Sequence, residues 1–325
     1  MRIQSVLFLV LLALVVAGCQ SGVDTRIVER DFHTGTQGVE MRFLPGAPPP
    51  RIFDGEEVDL IVELRNRGAY PLTNDFEGNL VLSGFDPISL QGQWETRSSR
   101  GLGDPYADVS TSLVGRSQFN PEGGIQNLNY LARARVPFSG PQGNDLYRAP
   151  IIAHLCYKYK TIASPDACID PDPFSAVQEN KACRIGEYGY SLPVGGGQGG
   201  PVAVSSVIEE VGADKLFFRI TVTNSGGGSV IDYGSVLYDC PFNLNTNQID
   251  RVEADVQLGI PSSPPSCTPR GDAGDPIRLY GGKGTMFCSF PKPNIDSAFL
   301  TPLQIALSYG YSTSLRKDIE IINLQ

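Results

Sequence analysis

Apolar and polar residues alternate along residues 58–66 (VDLIVELRN). Val58, Leu60, Val62 and Leu64 fall on one face and Asp59, Glu63 and Arg65 on the other, with Ile61 the exception. A period of two marks a strand with one face buried and one in water, and it favours antiparallel sheets over parallel ones covered on both faces. Residues 38–45 (GVEMRFLP) alternate in the same way and stop at Pro45; the stiff run Pro48-Pro49-Pro50 follows. No sustained 3.6-residue period appears beyond the N-terminal apolar run. The 36 glycines and 25 prolines suit many turns between short strands. The pattern predicts an all-β chain.

The alternation is also duplicated. LIVELRNRG (60–68) returns as FRITVTNSG (218–226), each a strand ending in Asn-x-Gly with Asn66 or Asn224 at the turn. A short strand is expected after each, at 78–82 and 234–238. Further on, residues 149–161 and 301–313 share a proline followed by Leu-x-Tyr-x-Tyr-x-Thr, 152 residues apart. These repeats predict two tandem immunoglobulin-like antiparallel β-sandwiches, at 37–194 and 201–325, the second able to fold alone. The glycine-rich residues 195–200 read as a flexible joint between them. The paired tyrosines Tyr157/Tyr159 and Tyr309/Tyr311 share a face with Leu155 and Leu307. They read as core aromatics with a hydroxyl bonded to loop backbone, as in a tyrosine corner, or alternatively as a ligand-stacking platform.

The N-terminus gives an address. Arg2 precedes an uncharged apolar run at 5–17, which ends in Val16-Ala17-Gly18-Cys19. The run is shorter than the ~20 residues that span a bilayer and has the form of a signal peptide. Its ending resembles a lipobox, with residues 1–18 as signal, Cys19 as lipidation site and 19–36 as anchor and tether. An ordinary cleaved signal and a short uncleaved anchor are the alternatives. The lipobox places the protein on the extracytoplasmic face of the cell membrane, held by lipid. The formal charge of −9 lacks the cationic footprint that phosphate backbones require, so nucleic acid is not an expected partner.

Beyond Cys19 stand Cys156, Cys168, Cys183, Cys240, Cys267 and Cys288. Six cysteines in an exported chain read as three disulfides, or in part as buried thiols. Three fall in each copy, so complete pairing requires one bridge between copies. Cys168–Cys183 closes a Pro- and Asp-rich loop of about fifteen residues, which would remove ~3 kcal/mol of unfolded-chain entropy. Cys267–Cys288 flanks a glycine turn. Cys156–Cys240 remains, a staple that would make the joint a fixed elbow.

Signs of catalysis are absent from the sequence. The chain has only His33, in the tether, and His154, which reads as a surface or boundary residue. It has no His-Glu-x-x-His, Gly-x-Ser-x-Gly or CxxC motif. No enzyme activity, cofactor or metal is expected. Asp166, Asp170 and Asp172 read as a solvated disulfide loop, or as the start of a Ca²⁺ site. The long, turn-rich stretch 86–127 carries Trp94, Tyr106 and Phe119. It is the expected partner-binding surface, unless it hides edge strands and Trp94 packs the core.

Taken with the lipobox, the Asn-x-Gly strand ends around 57–68 and 215–228 give the chain a resemblance to archaeal and other prokaryotic surface lipoproteins with CARDB-type (cell-adhesion-related, S-layer-associated) Ig-like domains. That resemblance implies a structural, adhesive or scaffolding role in the envelope, with a protein or glycan partner there and no catalytic residues. The alternative is a ligand-binding surface lipoprotein that takes a glycan, peptide or Ca²⁺ through 86–127. Cys19→Ser should release the protein into the medium or leave it unprocessed. Fractionation that finds the variant cleaved normally and still in the membrane would refute the anchor.

Overall fold

A computed structural model describes residues 32–72, 77–95, 106–109, 113–137, 145–173, 181–186, 189–235, 240–260 and 264–324. The expected signal peptide, Cys19 and most of the expected tether lie outside them. The first half contributes β1 (Val39–Phe43), β2 (Arg51–Phe53), β3 (Glu57–Asn66), β4 (Gly78–Ser83), β5 (Leu90–Trp94), β6 (Tyr106–Asp108), β7 (Ile125–Ala134), β8 (Leu146–Ala163), β9 (Asp166–Ile169) and β10 (Tyr190–Leu192). The second contributes β11 (Val202–Val211), β12 (Lys215–Asn224), β13 (Ser229–Ile231), β14 (Arg251–Leu258), β15 (Ser266–Thr268), β16 (Ile277–Arg278), β17 (Lys283–Pro291) and β18 (Phe299–Ile322). The fold is all-β and antiparallel, apart from a short parallel contact between β2 and β18.

The described strands form three sheets: β1-β3-β7-β5, β10-β11-β12-β17-β15, and a nine-stranded sheet whose main path is β16-β14-β18-β8-β4-β6. The alternation in β3 does what its pattern demands: Val58, Leu60, Val62 and Leu64 are buried, as are Leu216, Phe218, Ile220 and Val222 in β12. Each side chain of this kind stabilises the fold by roughly 1.5–3 kcal/mol when fully buried. β12 and β17 carry this apolar row on one face, as β3 and β7 do in the other half.

The two repeats are not separable sandwiches. Residues 32–325 form one compact unit, and β8 pairs with β18 through eighteen consecutive residues, from Leu146↔Ile322 to Ala163↔Ile305. β9 extends this pairing in the same register, down to Ile169↔Phe299. Cutting at residue 201 would strip the 313–322 end of β18 from its neighbour. The residues at 195–200 are likewise no flexible joint, because Gln198, Gly199 and Gly200 are buried. Gln198 bonds both ways with Val204, Nε2 to its carbonyl at 3.2 Å and Oε1 from its N–H at 2.9 Å. Gly199 accepts from Ala69 N–H at 2.8 Å and donates to Gly35 O at 2.9 Å. Its φ is +72° and a Cβ there would stand 2.7 Å from that of Ala69, so only glycine fits. The strand expected at 234–238 is also displaced: Gly234 and Ser235 lie in a turn, 236–239 are outside the described residues, and β14 takes the place beside β18 that β4 takes beside β8.

The order of the nine-stranded sheet is palindromic, and its centre explains the repeat. Lys158 lies opposite Gly310, 152 residues on, so equivalent positions of the two copies face each other across a local two-fold axis. Tyr157 stands opposite Tyr311, and Tyr159 opposite Tyr309. All four rings are buried, and each hydroxyl is held from the facing layer. Tyr157 accepts from Val39 N–H at 3.1 Å and Tyr309 from Val202 N–H at 3.3 Å. Tyr159 accepts from Tyr70 N–H at 3.2 Å, Tyr311 from Gly228 N–H at 2.9 Å, and the two donate to Asn66 Oδ1 and Asn224 Oδ1, each at 3.0 Å. The Asn-x-Gly motif is thereby accounted for. Asn66 and Asn224 receive a tyrosine proton and donate to the backbone four residues on, at 2.7 and 2.9 Å. A Cβ on Gly68 or Gly226 would lie 2.0 or 2.3 Å from a tyrosine oxygen.

Asn66→Ala should destabilise the whole unit by about 3 kcal/mol, because it leaves buried partners unsatisfied. Denaturant unfolding followed by circular dichroism checks this. A loss below ~1 kcal/mol would show that the network is dispensable.

Candidate functional site: the outer face of the five-stranded sheet

The residues singled out by sequence reading do not form one site. Trp94 is 2% exposed and packs edge-on against Tyr130, ring centroids 5.2 Å apart, in the first core. The stretch around it does hide edge strands, β5 and β6, because the ring is large enough to be most stable inside the sandwich. Tyr106 is half-buried on edge strand β6, and Phe119 is 88% exposed at a turn. The three lie on separate parts of the chain, in β5, in β6 and in the turn before β7. His154 is half-buried on the outer face of β8, with Nε2 3.0 Å from Ser83 Oγ and its ring edge-on to Phe242.

The disulfides are Cys156–Cys240, Cys168–Cys183 and Cys267–Cys288, with Cα separations of 6.3, 5.7 and 4.1 Å. Cys156–Cys240 does join the two halves. It fastens the segment after β13 to the outer face of the central sheet, beside Ile231 and Leu244, and there is no hinge for it to lock.

The aspartate loop already has its cation. Asp170 is buried, and Lys181 Nζ reaches its two oxygens at 3.0 and 2.8 Å and also the Asp172 carbonyl. Lys292 Nζ caps the Pro171 carbonyl at 2.6 Å. An ammonium thus sits where a Ca²⁺ would need those oxygens. Among the described residues no group of three His, Cys, Asp or Glu side chains is placed to hold a metal.

Most charges on the outer face of the first half are paired. Arg42 pairs with Glu63 at 2.8 Å, Arg67 with Glu40 at 3.3 Å and with Glu122 at 2.9 Å, and Arg133 with Glu57 at 2.9 Å. The outer face of the second half is different. Ile208, Arg219, Phe287 and Thr268 stand in one cross-strand row, and Glu210, Phe217, Ser289 and Ser266 in the next. Phe217 is 43% and Phe287 56% exposed. Together these residues line an open groove of about 440 Å³. Arg219 Nη2 lies 3.4 Å from Glu210 Oε1 at its side.

Register shows how the halves diverged. Glu57↔Arg133 corresponds to Lys215↔Pro291, so Asp59 and Asn129 stand where Phe217 and Phe287 do. In the first half that diagonal pair is a hydrogen bond, Asn129 Nδ2 to Asp59 Oδ1 at 2.9 Å. In the second, two large apolar rings face water. The groove floor is braced from within: Cys267 and Cys288 are directly opposed on β15 and β17, and their bridge ties the strand of Phe287 to that of Thr268. Sequence reading passed over both phenylalanines, although each interrupts the alternation. Leu216, Phe218 and Ile220 are the inward series of β12, and Met286, Cys288 and Phe290 that of β17; Phe217 and Phe287 are apolar residues in the outward phase.

Comparison with known proteins finds no family model and no curated protein that matches this chain.

Inside the same sheet, Glu209 is buried, with one oxygen accepting the Cys168 N–H at 2.9 Å. Burial pushes its carboxyl up to about 7 from 4.5, against the opposing pull of that N–H. The folded chain therefore holds this proton at pH values where the unfolded chain has lost it. The stabilisation is fully present below 4.5 and is lost as pH rises through 7. Thermal unfolding should show stability falling by roughly 3 kcal/mol across that window, and Glu209→Gln should flatten the dependence. An unchanged slope in that variant would assign the effect elsewhere.

Proposed function

We propose that this is an exported, lipid-anchored surface protein with a structural or adhesive role in the envelope, and that the outer face of the five-stranded sheet is its contact surface. The observation that carries this reading is the exposed Phe217–Phe287 pair on a disulfide-braced sheet, at positions where the other half keeps a hydrogen-bonded Asn–Asp pair. Exposed apolar clusters on an otherwise polar face mark interaction sites. Three disulfides support an oxidising, extracytoplasmic setting. The apolar run ending at Cys19 supports the anchor, and the resemblance to cell-adhesion-related Ig-like domains supports the adhesive role.

Full-length protein in detergent should co-sediment with detergent-washed envelopes of its source cells. The double substitution Phe217→Ala and Phe287→Ala should reduce that binding about tenfold or more, with the unfolding temperature little changed because both rings are already about half exposed. Equal co-sedimentation of wild type and variant would remove this face from the role.

A further inference from the structure

We propose that the groove on the outer face of the five-stranded sheet binds an uncharged glycan chain. The proposal rests on the reading of that face as the contact surface and names its occupant. Three features of the groove argue for it.

The first is the spacing of apolar and hydrogen-bonding groups. Phe217 and Phe287 are diagonal neighbours on adjacent strands, and strands in a sheet lie about 4.8 Å apart. Each ring is bordered at that spacing by a polar side chain in register. Phe287 has Arg219 on one side and Thr268 on the other; Phe217 has Glu210 and Ser289. A pyranose ring presents the complementary arrangement, with a face of C–H groups that packs on the negative face of an aromatic ring and a rim of hydroxyls that both donate and accept. The groove offers donors in Arg219, acceptors in Glu210, and groups of both kinds in Thr268 and Ser289.

The second feature is charge. The chain carries a net −9, yet this groove holds one cation and one anion that pair with each other, Arg219 and Glu210 at 3.4 Å. It presents no surplus positive charge to a phosphate, sulfate or uronate, and no surplus negative charge to a basic peptide. Its complement is an uncharged ligand.

The third is the size of the apolar centre. Two exposed rings and the half-buried Ile208 form most of its apolar surface, since Phe218 and Cys288, which also line it, are buried in the sheet. A stable protein interface buries about 800 Å² on each partner around a larger dry core. A volume of about 440 Å³ falls instead in the ~300–1,000 Å³ range of small-ligand sites.

The test uses full-length protein in detergent with its disulfides intact. Calorimetric titration is made with neutral linear hexasaccharides of β-1,4-glucose, β-1,3-glucose, α-1,4-glucose, β-1,4-mannose and β-1,4-N-acetylglucosamine, with dextran sulfate as the charged control. At least one neutral hexasaccharide should bind, and raising salt to about 1 M should change its affinity by less than about twofold. Phe217→Ala and Phe287→Ala should each weaken it about tenfold or more, and Phe217→Tyr and Phe287→Tyr should retain it. The proposal is overturned if no neutral glycan binds at millimolar concentration, if only dextran sulfate binds, or if binding is indifferent to both alanine variants. Should glycans fail while envelope co-sedimentation still depends on Phe217 and Phe287, the contact face stands and its partner is a protein. Should both fail, the face has no binding role.

Discussion

Everything in this fold hangs on the antiparallel pairing of β8 with β18 about a local two-fold axis. Eighteen residues of β8 meet β18 in unbroken register, and the four tyrosines at the centre are buried together. A buried hydroxyl is costly unless it is bonded. Here each finds its partner in a strand of a smaller sheet, at Val39 and Val202, or in the loop after its Asn-x-Gly strand, at Tyr70 and Gly228, always through a backbone N–H group. The hydroxyls therefore fix the distance and register between layers as well as the pairing within the central sheet. Each half completes the other's core, and residues 32–325 behave as one unit.

Much of this was legible in the sequence. The alternation at 58–66 located β3 and its buried face, and the two Leu-x-Tyr-x-Tyr-x-Thr segments located the strands at the axis. What the repeat could not reveal was that the two segments pair with each other. An internal duplication looks the same in sequence whether its copies hang on a linker or share a sheet, because alternation reports which face is buried and says nothing of the neighbour strand. The glycines at 195–200 misled for a related reason. Composition suggests freedom, but Gly199 is glycine because its backbone is left-handed and pressed against Ala69. The disulfide parity argument succeeded because it counted a constraint that holds whatever the geometry.

The proposed contact face was harder to see. Trp94 drew attention as the single tryptophan in a loop-rich stretch, and the structure puts it in the core. Phe217 and Phe287 were hidden inside apolar stretches, LFF and MFC, where an outward residue is masked by its inward neighbours. Their meaning emerges only from the register that sets them diagonally together, and from comparison with Asp59 and Asn129 in the other half. Inner positions of the two halves answer to the same tyrosine–asparagine network and have kept their character. Outer positions answer to solvent and were free to specialise.

The long pairing also sets the order in which the chain can close as it is made. β8 ends at Ala163 and its partner begins at Phe299, so the first half emerges during synthesis with one edge of its main sheet unpaired. It must wait for well over a hundred further residues before that edge closes. Cys156 likewise waits for Cys240. Until then the waiting strand is an open template, and a second nascent chain carrying its own β18 would offer it an equivalent match. Synthesis at high local density would therefore favour strand exchange between molecules, and this architecture makes keeping the half-made chain apart from its siblings a condition of correct folding.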